Sequence, residues 1–411
     1  MSCWWQVKPL GIKDLPEFSC NLFTLFAHST AQHSTGIEMT KNVIVFSDGT
    51  SNTKRTNTNV YQFYKALKDS PKNTCFYDPG VGSFSGDVFG KAFGAGLAVN
   101  IRQCYDFIVS KYEPGDRLFL FGFSRGAYTV RSLASFVSLI GLVEKNKKKL
   151  GAQGPRHHKR QILTVQQKYA RLAYDVYRSN KTPAFQAALR ELSERQQMRS
   201  CPVFGLGVWD TVGALGLPSM DRDQNAFGEH YYHRVKLPKG IRYAYHALSI
   251  DDERREFSPV LFSRTPKNTE TIEEVWFSGM HSDVGSGYKL KKKDPHAKEL
   301  ANISLKWMAD KFSAALKFNR SKFGRGKPRG YMHDSLEGAA EHLYVKRKRA
   351  VPKNSHLHQS VITRITGPLQ HPSPTRETDG HYRPIALSSG GYKVNYDLPP
   401  IYGLKEKYEI V

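Results

Sequence analysis

The chain has 411 residues, 61 of them Lys or Arg against 37 Asp or Glu, a formal charge of +24. Hydrophobic residues at 39% and aromatic residues at 12% suit a globular protein large enough for one sizeable domain with insertions. Five cysteines in no CxxC or Cys/His spacing argue against a zinc site and fit a reduced, thiol-bearing chain. Charged residues or glycine interrupt every apolar run, which excludes a spanning helix of about 18–20 residues. The basic surplus favours phosphate-bearing partners, lipid or nucleic acid, and says nothing about fold.

In chain order, the first 38 residues lack a basic start followed by a long apolar stretch, so no cleaved signal is expected. MTKNVIVFSDGT from Met39 reads as a natural start, and residues 1–38 as an upstream extension peripheral to the fold. Near-continuous apolar runs then follow: NVIVFSDG from Asn42, NTCFYDPG from Asn73, DRLFLFGFS from Asp116, VFGLGVWD from Val203 and EEVWFSGMH from Glu273, with a weaker sixth, IRYAYHALSI, from Ile241. Such runs suit strands buried on both faces. The helical patterns between them, such as NVYQFYKALKD and YTVRSLASFVSLIGLV, predict an α/β fold with a mostly parallel central sheet and helices on both faces. The domain is expected over 39–345. A basic, helical insertion over 144–200 is expected to sit at one sheet edge as a cap. Residues 346–411 read as a C-terminal tail packed on the domain or extended from it, with loop or extended structure from Ser355 onward.

FGFSRGA, residues 121–127, stands where a strand pattern gives way to a helix pattern. Its G-x-S-x-G glycines suit a sharp turn that lifts the Ser124 hydroxyl clear of the sheet edge. A phosphate loop would need a lysine after Gly126, and none follows. A serine nucleophile needs a base oriented by an acid, here in the order serine, acid, histidine. Asp210 ends the run VFGLGVWD, and His281 follows EEVWFSGM. Asp251 and Asp252, after the run that holds His246, are rival acids, and Asp283 is a shaper of the histidine loop. The oxyanion donors expected are the backbone N–H groups of Arg125 and of Gly49 or Thr50 in FSDGT. Asp78 in YDPGVGS reads as a turn residue, with a cation ligand as the alternative. No metal or cofactor is implied.

Eight ordered blocks, KNVIVFSDGTSNT, TNVYQFYKAL, FYDPGVGS, GDRLFLFGFSRGAYTVRSLA, GVWDTVGALG, HALSIDDERREFSPVLF, VWFSGMHSDVGSGY and ISLKWM, span Lys41 to Met308. Together they resemble the uncharacterised α/β-hydrolase domain shared with the first class of type VI secretion phospholipase effectors. The resemblance implies an α/β-hydrolase fold, a triad of Ser124, Asp210 and His281, and lipase or phospholipase A chemistry on ester bonds. The expected function is therefore a serine ester hydrolase acting on lipid or other esters. The alternative is a catalytically silent scaffold that binds anionic membrane or nucleic acid. Lys145, Lys147, Lys148, Lys149, Arg156, Lys159 and Arg160 are expected to touch anionic membrane, with a solvated loop as the alternative. No specific nucleic-acid or protein partner is read from the sequence. The expected location is the cytoplasm, or outside it by a signal-independent route.

Overall fold

The computed structural model describes residues 40–80, 91–146, 148, 164–178, 185–213, 235–262, 265–267, 269–288, 296–336, 344–369, 382–387, 404 and 407–411. The extension over 1–38 lies outside them.

The strands are β1 (Asn42–Ser47), β2 (Asn73–Asp78), β3 (Arg117–Phe123), β4 (Val203–Trp209), β5 (Tyr243–Ser249), β6 (Thr271–Phe277), β7 (His356–Leu357) and β8 (Glu409–Ile410). They form one sheet in the order β2-β1-β3-β4-β5-β6-β7-β8, and every neighbouring pair runs parallel. A parallel sheet needs helical crossovers, which cover both its faces. The helices are α1 (Asn59–Leu67), α2 (Lys91–Lys111), α3 (Arg125–Ile140), α4 (Val165–Arg178), α5 (Phe185–Arg195), α6 (His281–Gly285), α7 (Ala301–Lys311) and α8 (Gln359–Ile365).

Alternation along the strands sorts the core into two layers. Val43, Val45, Leu118 and Leu120 pack with Ile108 of α2 and Val130 and Leu133 of α3. Ile44, Phe46, Phe119 and Phe121 point the other way, onto Phe63 of α1 and Leu305 and Met308 of α7. All parallel strands end at the same edge, which carries the residues that follow β1, β3, β4, β5 and β6.

One sequence expectation is corrected. The segment from Ser355 is not only loop: β7, α8 and β8 extend the sheet, and Leu357, Val361, Ile362 and Tyr408 bury against Leu248 and Trp276 in a third core cluster. The insertion expected as a cap begins where the strands begin. It leaves and rejoins through an antiparallel bridge between Leu142 and Arg199, where Arg199 donates to the carbonyls of Val109 and Tyr112 at 2.9 Å. That position, at the C-termini of α2 and α3, is where strands begin. The cause is topological: α3 starts at Ser124 and runs away from it, so a segment inserted after α3 starts at the far end. Lys145 pairs there with Glu113. The apolar side of α4 is buried in the body, with Ala170, Ala173, Tyr174 and Tyr177 in the core and Tyr177 against Phe136 at 5.1 Å. Lys147, Lys149, Arg156, Lys159 and Arg160 lie outside the described residues.

Candidate active site

Ser124 joins β3 to α3 with φ 58° and ψ −125°. This left-handed backbone disfavours a non-glycine residue by roughly 1–3 kcal/mol, so the surroundings must hold it. The Ser124 N–H donates to the Trp209 carbonyl at 3.0 Å, and its carbonyl accepts from Tyr128 at 3.2 Å. Gly126 lets the first turn of α3 press onto the end of β1: a Cβ there would lie 2.2 Å from the Ser47 carbonyl oxygen. Gly49 is constrained less severely, since a Cβ there would stand 3.0 Å from the Ser124 Cβ. The loop after β1 therefore abuts the serine.

Asp210 follows β4 and is fully buried. Its φ of 39° is again left-handed, held by its N–H to the Ala247 carbonyl at 2.7 Å. Oδ2 lies 2.5 Å from His281 Nδ1, and Oδ1 accepts the Ser249 N–H at 3.0 Å. Both oxygens also accept from Arg349, at 2.7 Å for Oδ1 and 2.9 Å for Oδ2. Burial would raise this carboxyl, but the Arg349 charge and the hydrogen bonds from His281 and Arg349 outweigh it and hold Asp210 well below the usual carboxylate range.

His281 opens α6. Its ring lies between Phe123, at 4.6 Å, and Phe257, at 4.9 Å. Nδ1 is committed to Asp210, which leaves Nε2 as the nitrogen that can exchange a proton. Burial lowers the imidazole pKa below its ordinary value despite the opposing pull of Asp210. A neutral ring with Nδ1–H turned to a carboxylate is a competent proton acceptor at neutral pH. No hydrogen bond joins Ser124 Oγ to this ring among the described residues.

The rival acids have other work. Asp251 Oδ2 accepts the Gly279 N–H and the Tyr382 hydroxyl, both at 2.7 Å. Asp252 is paired with Arg254 at 2.6 Å and accepts the backbone N–H of His281 at 3.1 Å. Asp283 caps α6 and pairs with His333 at 2.6 Å, which matches its expected part in shaping the loop. His246 accepts the Thr211 N–H on Nε2 at 3.0 Å and faces Glu274 with Nδ1 at 2.8 Å, so it braces the residue after Asp210.

Asp78 is more than a turn residue. It is buried at the end of β2, where it accepts from Ser47 at 2.8 Å and Asn100 at 2.9 Å, and burial raises its carboxyl to about 7. In the FSDGT loop the expectation narrows, because the Gly49 N–H donates to Asp48 Oδ1 at 2.8 Å and is already engaged. Arg349 is the residue that sequence reasoning missed. Within YVKRKRAVPK nothing separates it from its basic neighbours, yet it alone of the run Lys346–Arg349 is buried.

A family model described as T6SS, phospholipase effector Tle1-like, catalytic domain, matches residues 41–311, more than half of the chain. The chain belongs to this Tle1-like family. An uncharacterised protein of Saccharomyces cerevisiae is 25% identical over 248 residues, covering 55% of this chain and 33% of that protein. Among solved structures, an uncharacterised Pseudomonas aeruginosa protein has a TM-score of 0.36 at 16% identity, over 70% of this chain and 49% of its own. The Tle1 effector bound to the VgrG spike has a TM-score of 0.31 at 16% identity, over 63% of this chain and 56% of its own. The chain thus spans about a third of the yeast relative and about half of each of these two solved chains. Membership of a Tle1-like catalytic-domain family and the parallel sheet agree in giving this chain an α/β-hydrolase fold. Among the described residues no helix is long and apolar enough to cross a membrane.

Proposed function

We propose that this Tle1-like chain is a serine ester hydrolase of the phospholipase type, with Ser124, Asp210 and His281 as its catalytic residues. The observation that carries the reading is the contact of His281 Nδ1 with a buried Asp210 carboxylate, at the sheet edge where Ser124 occupies a left-handed elbow. Ser124 Oγ attacks the acyl carbonyl while His281 Nε2 takes its proton. The tetrahedral oxyanion is met by the N–H groups of Arg125 and Thr50, each worth roughly 3 kcal/mol in comparable sites. His281 then returns the proton to the leaving alcohol, and water, activated by the same imidazole, clears the acyl-enzyme.

Phospholipid acyl esters are the substrate class that the family description favours. The surplus of basic residues suits an anionic bilayer, where each Lys or Arg near the surface is worth up to about 1 kcal/mol. Since α4 buries its apolar side in the body, what α4 itself offers a bilayer is charge.

Acyl release from phospholipid and from a soluble p-nitrophenyl ester, wild type against Ser124→Ala, tests the proposal. Turnover should fall by at least about a thousandfold in the folded variant. Equal turnover in the two, or anionic-membrane binding with no turnover in the wild type, would favour a non-catalytic scaffold instead.

A further inference from the structure

The catalytic-domain match ends at residue 311, yet the charge that faces Asp210 comes from Arg349. The polypeptide is guided to it by a short antiparallel pairing: Arg255 N–H donates to the Val345 carbonyl at 2.9 Å and Arg347 N–H to the Glu253 carbonyl at 2.6 Å. Among the described residues the guanidinium then makes four hydrogen bonds. Two go to the Asp210 oxygens, and two to the carbonyls of Ser249 and Phe257, each at 2.6 Å. A planar fork on a carboxylate fixes the plane of that carboxylate as well as its charge.

We infer that Arg349 is a positioning residue for this site: it locks Asp210 toward His281 and cancels the charge that would otherwise draw a proton onto the imidazole. The inference rests on the hydrolase reading and deepens it by making the segment beyond the matched domain part of the site. The surrounding charges support it. Asp252, whose carboxylate accepts the His281 N–H, is balanced by Arg254; Asp251 is bonded to Tyr382 and Gly279; His246 faces Glu274; and Arg125, next to Ser124, is half-buried. Asp210 and Asp252 are thus offset by Arg349 and Arg254. Without Arg349, His281 meets two carboxylates with one counter-ion, and the protonated ring gains. The proton acceptor is then blocked up to a higher pH, and the carboxylate loses its orientation.

The test uses the full chain labelled with 13C-histidine, with His281→Gln to assign the resonance. The His281 titration midpoint is read by NMR in wild type, Arg349→Gln and Arg349→Lys, and kcat/KM for a soluble ester is measured against pH in parallel. Arg349→Gln should raise the midpoint by about one unit, move the acid limb of kcat/KM upward with it, and lower the plateau about tenfold. Arg349→Lys keeps the charge without the fork, so its midpoint should stay near wild type while its plateau falls. A folded Arg349→Gln with the wild-type midpoint overturns the inference, as does an Arg349→Lys plateau equal to wild type, which decides the matter if the Gln variant does not fold. The NMR midpoint needs no turnover, so a wild type without esterase activity would sink the hydrolase reading separately.

Discussion

His281 Nδ1 lies 2.5 Å from Asp210 Oδ2, with both groups buried. This one contact fixes which ring nitrogen carries a proton and which can accept one. Asparagine at position 210 would still fill the space, but its amide would allow the wrong tautomer. Asp210→Asn should therefore lower kcat on the order of a thousandfold or more, with Asp251→Asn and Asp252→Asn much milder. A large loss from either of those with Asp210→Asn near wild type would move the acid elsewhere.

The state of His281 sets the pH dependence. Burial lowers its pKa below the ordinary value, and the neutral form is the base, so kcat/KM should rise with pH through a midpoint below about 6.5 and be flat at neutrality. A midpoint above 7 in a stopped-time ester assay would contradict the buried, neutral imidazole.

The backbone at the elbow is tightly packed. A Cβ at Gly126 would lie 2.2 Å from the Ser47 carbonyl oxygen and 2.5 Å from that of Asp48, so the backbone would have to part. Gly126→Ala should destabilise the fold by about 1–3 kcal/mol and lower turnover in whatever remains folded. Urea unfolding together with kcat reports both.

Asp78 offers a stability test away from the reacting atoms. Burial raises its carboxyl to about 7, well above an unfolded value near 3.8. Between these values the folded state holds a proton that the unfolded state has lost, so this group's contribution is present below about pH 4 and is lost as pH rises through about 7. Asp78→Asn cannot titrate and should gain in Tm relative to wild type between pH 5 and pH 8. A constant difference in Tm across that range would mean that Asp78 is not the group responsible.

Liposome co-sedimentation addresses the membrane component. Binding should rise with anionic lipid and fall with salt. Lys145 pairs with Glu113 at the end of the sheet opposite Ser124, so changing Lys145 and Lys148 to Gln should weaken binding only slightly. Loss of all binding in that variant would make the insertion the anchor.

How much of this was legible in the sequence depended on the range of the cause. RLFLFGF and NVIVFS announce themselves because strands covered on both faces are apolar at every position. GFSRG was legible because a strand, a small-residue turn and a helix are local events. Asp210 and His281 follow from the same logic, since each closes an apolar run at the edge where parallel strands end. Which acid meets the histidine was not legible: Asp210, Asp251 and Asp252 all occupy that edge, and contacts across the sheet decide among them. Arg349 was invisible, because only the folded C-terminal segment separates it from Lys346, Arg347 and Lys348. The two-residue strands β7 and β8 carry no periodicity at all. The end at which the insertion starts, in contrast, was available from chain order, since a helix that starts at the elbow must finish at the opposite edge.

Labelling of the full chain with a fluorophosphonate, read by peptide mass spectrometry, tests the central claim most directly, because the reagent phosphonylates only a serine activated by a working base. The account predicts rapid modification of Ser124 in the wild type, much slower modification in His281→Gln and Asp210→Asn, and none at that peptide in Ser124→Ala. No label on Ser124 of the folded wild type, or labelling undiminished in His281→Gln, would contradict it.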